Sequence, residues 1–594
     1  MASSTETPPQ TDRDLASVAE ARLLARRART AQDQLAELSQ SQIDAIVDAM
    51  AAAATAHAEA LARLAVEETG YGVVADKVQK NLFSSQRVYE FIRPMKTVGV
   101  VARFDDRRVI EIAEPFGVVA AIVPSTNPTS TAIYKILIAL KARCAIVISP
   151  HPAAARCIIR TAEVMSEAAR TAGAPDGAIG WMTTVTIEGT QELMKQREVA
   201  VILATGGMGL VRAAYSAGKP AYGVGPGNAP CYIEQSADVP KAVSDILLGK
   251  CFDNGVLCSS PNSVVVDEAV ADAVCEQFKA QGGHFLGPAE AEAVARVLVS
   301  PQRLPNPALV GKTAQAIATA AGIDIPPGTR ALLAPLAGVG RDHPLSIEKL
   351  CPVLSFYVVR DWREGCERCK QILRYGGMGH TMSIHSTNEP VILEFGLRKP
   401  AFRICVNTPT SHGSIGLTTG LDPAMTLGCG GFGGNITSDN ISPRHLLNIK
   451  RLAWELRPAT AGAGAPVPAQ GARGPARGPG PPSASDSRLP RPPAIAEPRG
   501  ISGETLARRV DQFLQARGFA AAPPEPPAAR PGDRRPGDAP PAAATPETFV
   551  CEEDVRQAVT SGTRLLIDER TIVTPAARDL GESHGVFQLR GVTR

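Results

Sequence analysis

Between residues 114 and 216 the chain alternates short apolar runs with stretches whose apolar residues recur at helical spacing. Gly117-Val-Val-Ala-Ala-Ile-Val123 is an unbroken apolar run, the pattern of a strand covered on both faces. A helix is predicted over 129–143, a strand over 145–149, a helix over 153–171, a strand over 180–185, a helix over 187–196, a strand over 199–204 and a helix over 209–216. Repeated β-α-β units predict a parallel sheet, and such sheets bind ligands beyond the carboxyl ends of their strands. Upstream, 15–31 and 41–69 are Ala-rich, with Ile43, Ile46, Val47 and Met50 at helical spacing, and predict opening helices. Two β-type runs, 97–102 and 109–113, flank the charged Arg103-Phe-Asp-Asp-Arg-Arg108 and predict a hairpin. Downstream of the glycine-rich 222–228 a second α/β stretch runs to about 399, and globular patterning continues to about 457.

The pattern then breaks. Residues 458–500 and 519–547 are rich in Pro, Ala, Gly and Arg with almost no large apolar side chains, so both are expected to be disordered linkers. Between them, Leu506, Val510, Phe513 and Leu514 fall on one face of a helix spanning 501–518, with Gly518 placed to end it. A short amphipathic helix on a tether does not hold its own fold, so its apolar stripe is expected to dock on something. Residues 548–594 read as a small module or docking tail, with a helix at 552–561, a strand at 565–567 and a helix start at 574–578.

Bulk composition narrows the class. The chain has 594 residues, 44% hydrophobic and 20% charged, which is more than one core can hold. A net charge of +3, with no basic runs, gives nucleic-acid binding little support, and no apolar run reaches membrane-span length. Twelve cysteines in a long chain whose first twelve residues are polar indicate free thiols in a reducing, cytoplasmic setting. Cys366-Glu-Arg-Cys369 is read as two thiols one helical turn apart, since no second pair stands at ligand spacing, and no metal site is expected.

Candidate chemistry sits in the loops. Cys258 occupies a turn before the apolar Ser263–Val266 run, where a side chain is presented to a cleft. Asn127 lies in a loop stiffened by Pro124 and Pro128; Ser149-Pro-His-Pro152 is a rigid turn whose hydroxyl and imidazole suit a ribose or phosphate; and Thr205-Gly-Gly207 puts backbone N–H groups at a helix start. Together with Glu348-Lys-Leu-Cys-Pro352 and Gly379-His-Thr381, these motifs resemble the CoA-acylating aldehyde dehydrogenases, including those of bacterial microcompartments and of bifunctional aldehyde-alcohol dehydrogenases. The resemblance runs from about 15 to 457 and does not cover the tail.

The resemblance implies the aldehyde dehydrogenase α/β fold: an NAD-binding domain over 1–250, carrying an oligomerisation hairpin at about 97–113, and a catalytic domain over 251–457. It also implies that Cys258 is the nucleophile, that Asn127 donates to the oxyanion, and that His380 assists proton transfer with the CoA thiol. Glu348 holds the nicotinamide ribose, and Pro124, Ser125, Ser149, His151, Thr205, Gly206 and Gly207 contact the cofactor. The implied cofactor is NAD, with NADP open, and CoA is the co-substrate. Hydrolytic relatives carry a general-base Glu where this chain has Gly223-Val-Gly-Pro-Gly227, so a thiol is the expected acyl acceptor. The leading expectation is oxidation of acetaldehyde or propionaldehyde to the acyl-CoA. Its alternatives are sulfoacetaldehyde as substrate, a hydrolytic enzyme using Glu348 or His380 as base, and a catalytically retired scaffold. A homodimer or tetramer is expected, and 501–518 resembles an encapsulation peptide that would dock on a microcompartment shell protein and place the enzyme in its lumen.

Overall fold

The computed structural model describes residues 10–457 and, except for 551, 568–570 and 574, residues 549–589. The candidate encapsulation helix and both linkers lie outside the described residues. The chain opens on helices Gln10–Leu35, Gln40–Ala56 and Ala58–Thr69. The predicted 41–69 helix is therefore two: at His57 the backbone leaves helical geometry and the ring nitrogen bonds the Ala53 carbonyl. A segment without a predicted element follows, formed by helix Val74–Leu82, a π-helical turn Phe83–Val88 and helix Tyr89–Ile92.

The hairpin consists of β1 (Gly99–Phe104) and β2 (Val109–Pro115), antiparallel. Strand β1 runs further into the charged segment than predicted, because a hairpin needs only residues 105–108 to turn. A five-stranded sheet follows: β3 (Val118–Val123), β4 (Ile146–Pro150), β5 (Ile179–Trp181), β6 (Val199–Thr205) and β7 (Ala221–Val224). Its order is β5-β4-β3-β6-β7 and every pairing is parallel. The fully buried Val118–Val123 run lies at its centre, as the apolar pattern requires. Strand β5 stops short of the predicted 185 because the Thr183 and Thr184 N–H groups donate to the Glu20 carboxylate instead of a neighbouring strand.

A second parallel sheet has seven strands: β8 (Ala229–Ile233), β9 (Pro261–Asp267), β10 (Gly283–Phe285), β11 (Ala331–Pro335), β12 (Val353–Val359), β13 (Gly379–His385) and β14 (Ala401–Val406). Their order is β10-β11-β12-β9-β8-β13-β14. This layer begins at Ala229, before the boundary expected at 250, and takes the Val239–Cys251 helix into its core. Cys366 and Cys369 are buried on the Trp362–Tyr375 helix. Strand β15 (Leu447–Ala453) returns to pair with β2. A second compact unit lies within 469–594. There the pairs Phe549–Val550 with Ile572–Val573 and Leu565–Ile567 with Phe587–Leu589 are parallel, around a core of Val550, Val555, Ala577 and Val586. No helix among the described residues is long and apolar enough to cross a membrane.

Candidate active site

In the five-stranded sheet the strand order reverses between β3 and β6, so the loops that leave their carboxyl ends splay apart and open a crevice. A cavity of about 750 Å³ fills it. Every residue expected in the site except His380 lines this cavity: Pro124, Ser125 and Asn127 after β3, Ser149 and His151 at β4, Thr205, Gly206 and Gly207 at β6, with Cys258 and Glu348 opposite.

Cys258 sits in the turn that links the Val239–Cys251 helix to β9 and is half-buried. Its thiol is pushed up to about 12, first by burial and then by Glu348, with Arg403 pulling the other way. The resting side chain is therefore a neutral thiol. Asn127 is the residue before the Pro128–Lys141 helix, and its Nδ2 donates to the Val256 carbonyl at 3.4 Å and to Thr126 Oγ1 at 3.3 Å. The amide NH2 is thus aimed at the segment that carries Cys258.

Gly227 explains how the turn that carries Cys258 packs. A Cβ there would collide with the Cys258 carbonyl oxygen and come within 3.3 Å of His380 Cγ. The Gly227 N–H donates to Glu348 Oε1 at 3.0 Å, which anchors that carboxylate, and burial raises it to about 8. Among the described residues Glu348 is the sole carboxylate in the cavity wall, and no Lys or Arg joins it.

His380 is buried behind Gly227. Its Nδ1 pairs with Thr381 Oγ1 at 2.9 Å, its Nε2 has no partner, and burial with Arg403 nearby pushes its pKa down to about 3. The imidazole is accordingly neutral at any working pH. Ser149 Oγ meets Thr190 Oγ1 at 2.8 Å, and His151 Nδ1 accepts from the Ala153 N–H, capping the turn that follows β4. Two hydroxyls of the wall, Thr205 Oγ1 and Ser259 Oγ, are buried without a partner. Open space beside Gly207 and two unsatisfied hydroxyls in a cavity of about 750 Å³ fit a polar ligand such as a nicotinamide cofactor.

Lys77 and Lys80, on helix Val74–Leu82, escaped the sequence reading, as did any role for Asp253. Lys80 Nζ donates to Asn127 Oδ1 at 2.6 Å and contacts Asp253 Oδ2; Lys77 Nζ lies 2.9 Å from that same oxygen. The available signal was weak: two lysines three residues apart on a helix, which usually mark a solvated face.

With fold and site described, a family model supplies the class: the "Aldehyde dehydrogenase family" model matches residues 7–294, and relatives matched along nearly their whole length establish that the chain belongs to this family. One such relative is the succinate-semialdehyde dehydrogenase (acetylating) of Clostridium kluyveri, 36% identical over 73% of this chain and 95% of its own. The bifunctional aldehyde-alcohol dehydrogenase of Escherichia coli K12 is 44% identical over 73% of this chain and 49% of its own, so the chain spans about half the length of that relative. Among solved structures, an acetylating aldehyde dehydrogenase from Geobacillus thermoglucosidasius is 50% identical with a TM-score of 0.74, covering 75% of this chain and 98% of its own. A propionaldehyde dehydrogenase from the Clostridium phytofermentans fucose utilisation bacterial microcompartment is 27% identical with a TM-score of 0.67, covering 73% and 97%.

Proposed function

We propose that this protein oxidises a short-chain aldehyde, acetaldehyde or propionaldehyde, to its acyl-CoA with NAD as the hydride acceptor. The Cys258 thiol, neutral at rest, gives up its proton to solvent as its sulfur adds to the aldehyde carbonyl, and the alkoxide so formed takes hydrogen bonds from Asn127 Nδ2 and the Cys258 backbone N–H. Collapse of the alkoxide expels a hydride and leaves a thioacyl group on Cys258. A nicotinamide bound in the cavity would supply the hydride acceptor, and Glu348 would hold its ribose while the loops after β3, β4 and β6 would hold the rest. The CoA thiolate then attacks the thioester and Cys258 departs as thiolate. His380, expected to assist this proton transfer, stands outside the cavity wall with its pKa pushed down to about 3, and is a weak acceptor for the CoA thiol's proton.

The observation that carries this reading is the composition of the cavity wall. Gly223-Val-Gly-Pro-Gly227 stands where hydrolytic relatives bear the water-activating carboxylate, and apart from Glu348 no carboxylate lines the cavity among the described residues. A wall without a cation also favours a simple aldehyde over sulfoacetaldehyde. The hydrolytic reading keeps one specific support, because Glu348, raised to about 8, has the basicity of a general base near neutral pH. Residence in a microcompartment lumen is supported by the 501–518 pattern and by the microcompartment origin of one structural relative.

The test is NADH formation from acetaldehyde and propionaldehyde, with and without CoA, in the wild type and in Cys258→Ala. Strict CoA dependence, lost in the variant, is expected. Equal rates without CoA would mean that water reaches the thioacyl group and that another base, such as Glu348, has replaced the missing carboxylate.

A further inference from the structure

Asparagine's side-chain amide is two-faced: rotating it by half a turn exchanges a donor for an acceptor. An oxyanion site works with the NH2 toward the reacting oxygen, and the opposite orientation would set a carbonyl dipole against a developing negative charge. Something must therefore hold Asn127 one way round. We propose that Lys80, itself held by Asp253, is the positioning residue that fixes the Asn127 amide with its NH2 facing the nucleophile; this rests on the oxyanion role given to Asn127 above.

The geometry allows no other orientation. An ammonium has three donors and no acceptor, so at 2.6 Å it can meet only the oxygen end of the amide. That bond is charge-assisted, whereas the two bonds made by Asn127 Nδ2 are long, at 3.3 and 3.4 Å, and leave it free to donate elsewhere. The ammonium also draws electron density toward Oδ1, which strengthens the N–H groups as donors. Lys80 is 2% exposed and does not line the cavity, so it reaches the reaction only through Asn127.

Asp253 makes this arrangement possible. Its Oδ2 faces both Lys80 and Lys77, its Oδ1 accepts from the Val73 N–H at 2.7 Å, and its own N–H donates to Asp76 Oδ2 at 2.7 Å. Lys77 also donates to the Thr126 carbonyl at 3.3 Å, beside Asn127. Three segments are joined in this way: the Val74–Leu82 helix, the loop after β3 and the Asp253–Cys258 stretch. Asp253 and Asn254 hold φ of 50° and 53°, in the left-handed region that residues other than glycine rarely enter in succession. A buried ion cluster is weak at adding stability, and apolar packing would do as well. A strained turn and a buried cluster that together end on the amide oxygen are explained by what they aim.

The experiment measures single-turnover NADH formation, which precedes acyl transfer, for Lys80→Met in the wild-type background and in Asn127→Ala. Lys77 still neutralises Asp253 in this variant, and the rate at which iodoacetamide alkylates Cys258 reports whether the turn is intact. Expected are a loss of about 10²-fold in the NADH-forming rate, in the range known for removing one oxyanion donor, with little change in aldehyde KM. Lys80→Arg should recover part of the rate. In Asn127→Ala the same substitution should cost almost nothing more. A full loss repeated in that background, or an unchanged rate in Lys80→Met alone, would overturn the proposal. A wild type indifferent to CoA would defeat the acyl-acceptor reading while leaving this cycle intact, because the step measured comes before the acceptor is chosen.

Discussion

Cys258 illustrates how far residue type and setting can diverge. A cysteine in a turn facing a cleft reads as a nucleophile, yet burial and the neighbouring Glu348 carboxyl hold the thiol up at about 12, against an ordinary value near 8.5. Because a raised thiol pKa means less thiolate at neutral pH, alkylation of Cys258 at pH 7 should be more than tenfold slower than that of free cysteine. The rate should keep climbing beyond pH 9, followed at residue 258 by peptide mass spectrometry. A plateau by pH 8 would show a thiol of ordinary acidity. Asn127 and Glu348 were legible from their motifs, whereas Lys80 was not: a lysine in a helix looks solvated until the tertiary fold buries it against Asp253.

Strands were read most securely where both faces are covered, because a continuous apolar run such as Val118–Val123 has few other uses. Element ends moved wherever a side chain from elsewhere claimed the backbone, as Glu20 does at Thr183 and Thr184. The three-stranded sheet shows what pairing within one chain leaves over. Its order β1-β2-β15 makes β15 an edge, and beside it Leu452 and Trp454 are 49% and 46% exposed. An unpaired edge with apolar side chains can pair with a second copy, which is the reading tested next. Replacing both residues with Asp should shift the mass measured by light scattering toward the monomer, and an unchanged mass would place the subunit contact elsewhere.

At the scale of the whole molecule, the two-sheet α/β layers end near 457 and the tail carries its own sequence pattern. If the helix predicted from sequence over 501–518 docks on a shell, Leu506→Asp with Phe513→Asp should abolish co-purification with shell protein while turnover stays at the wild-type rate. Retained co-purification would remove the tail from that role. Local patterns determined much here: the α/β class, the order of the strands in sequence, the segments that end in loops and the motifs those loops carry, because apolar periodicity and turn chemistry act over a few residues. The strand order within the sheets, the β2–β15 pairing, the neutral buried state of His380 and the ion cluster behind Asn127 were decided by tertiary structure alone. Each depends on which distant segments meet and on how much water their meeting excludes, and neither quantity is written in the spacing of residues along the chain.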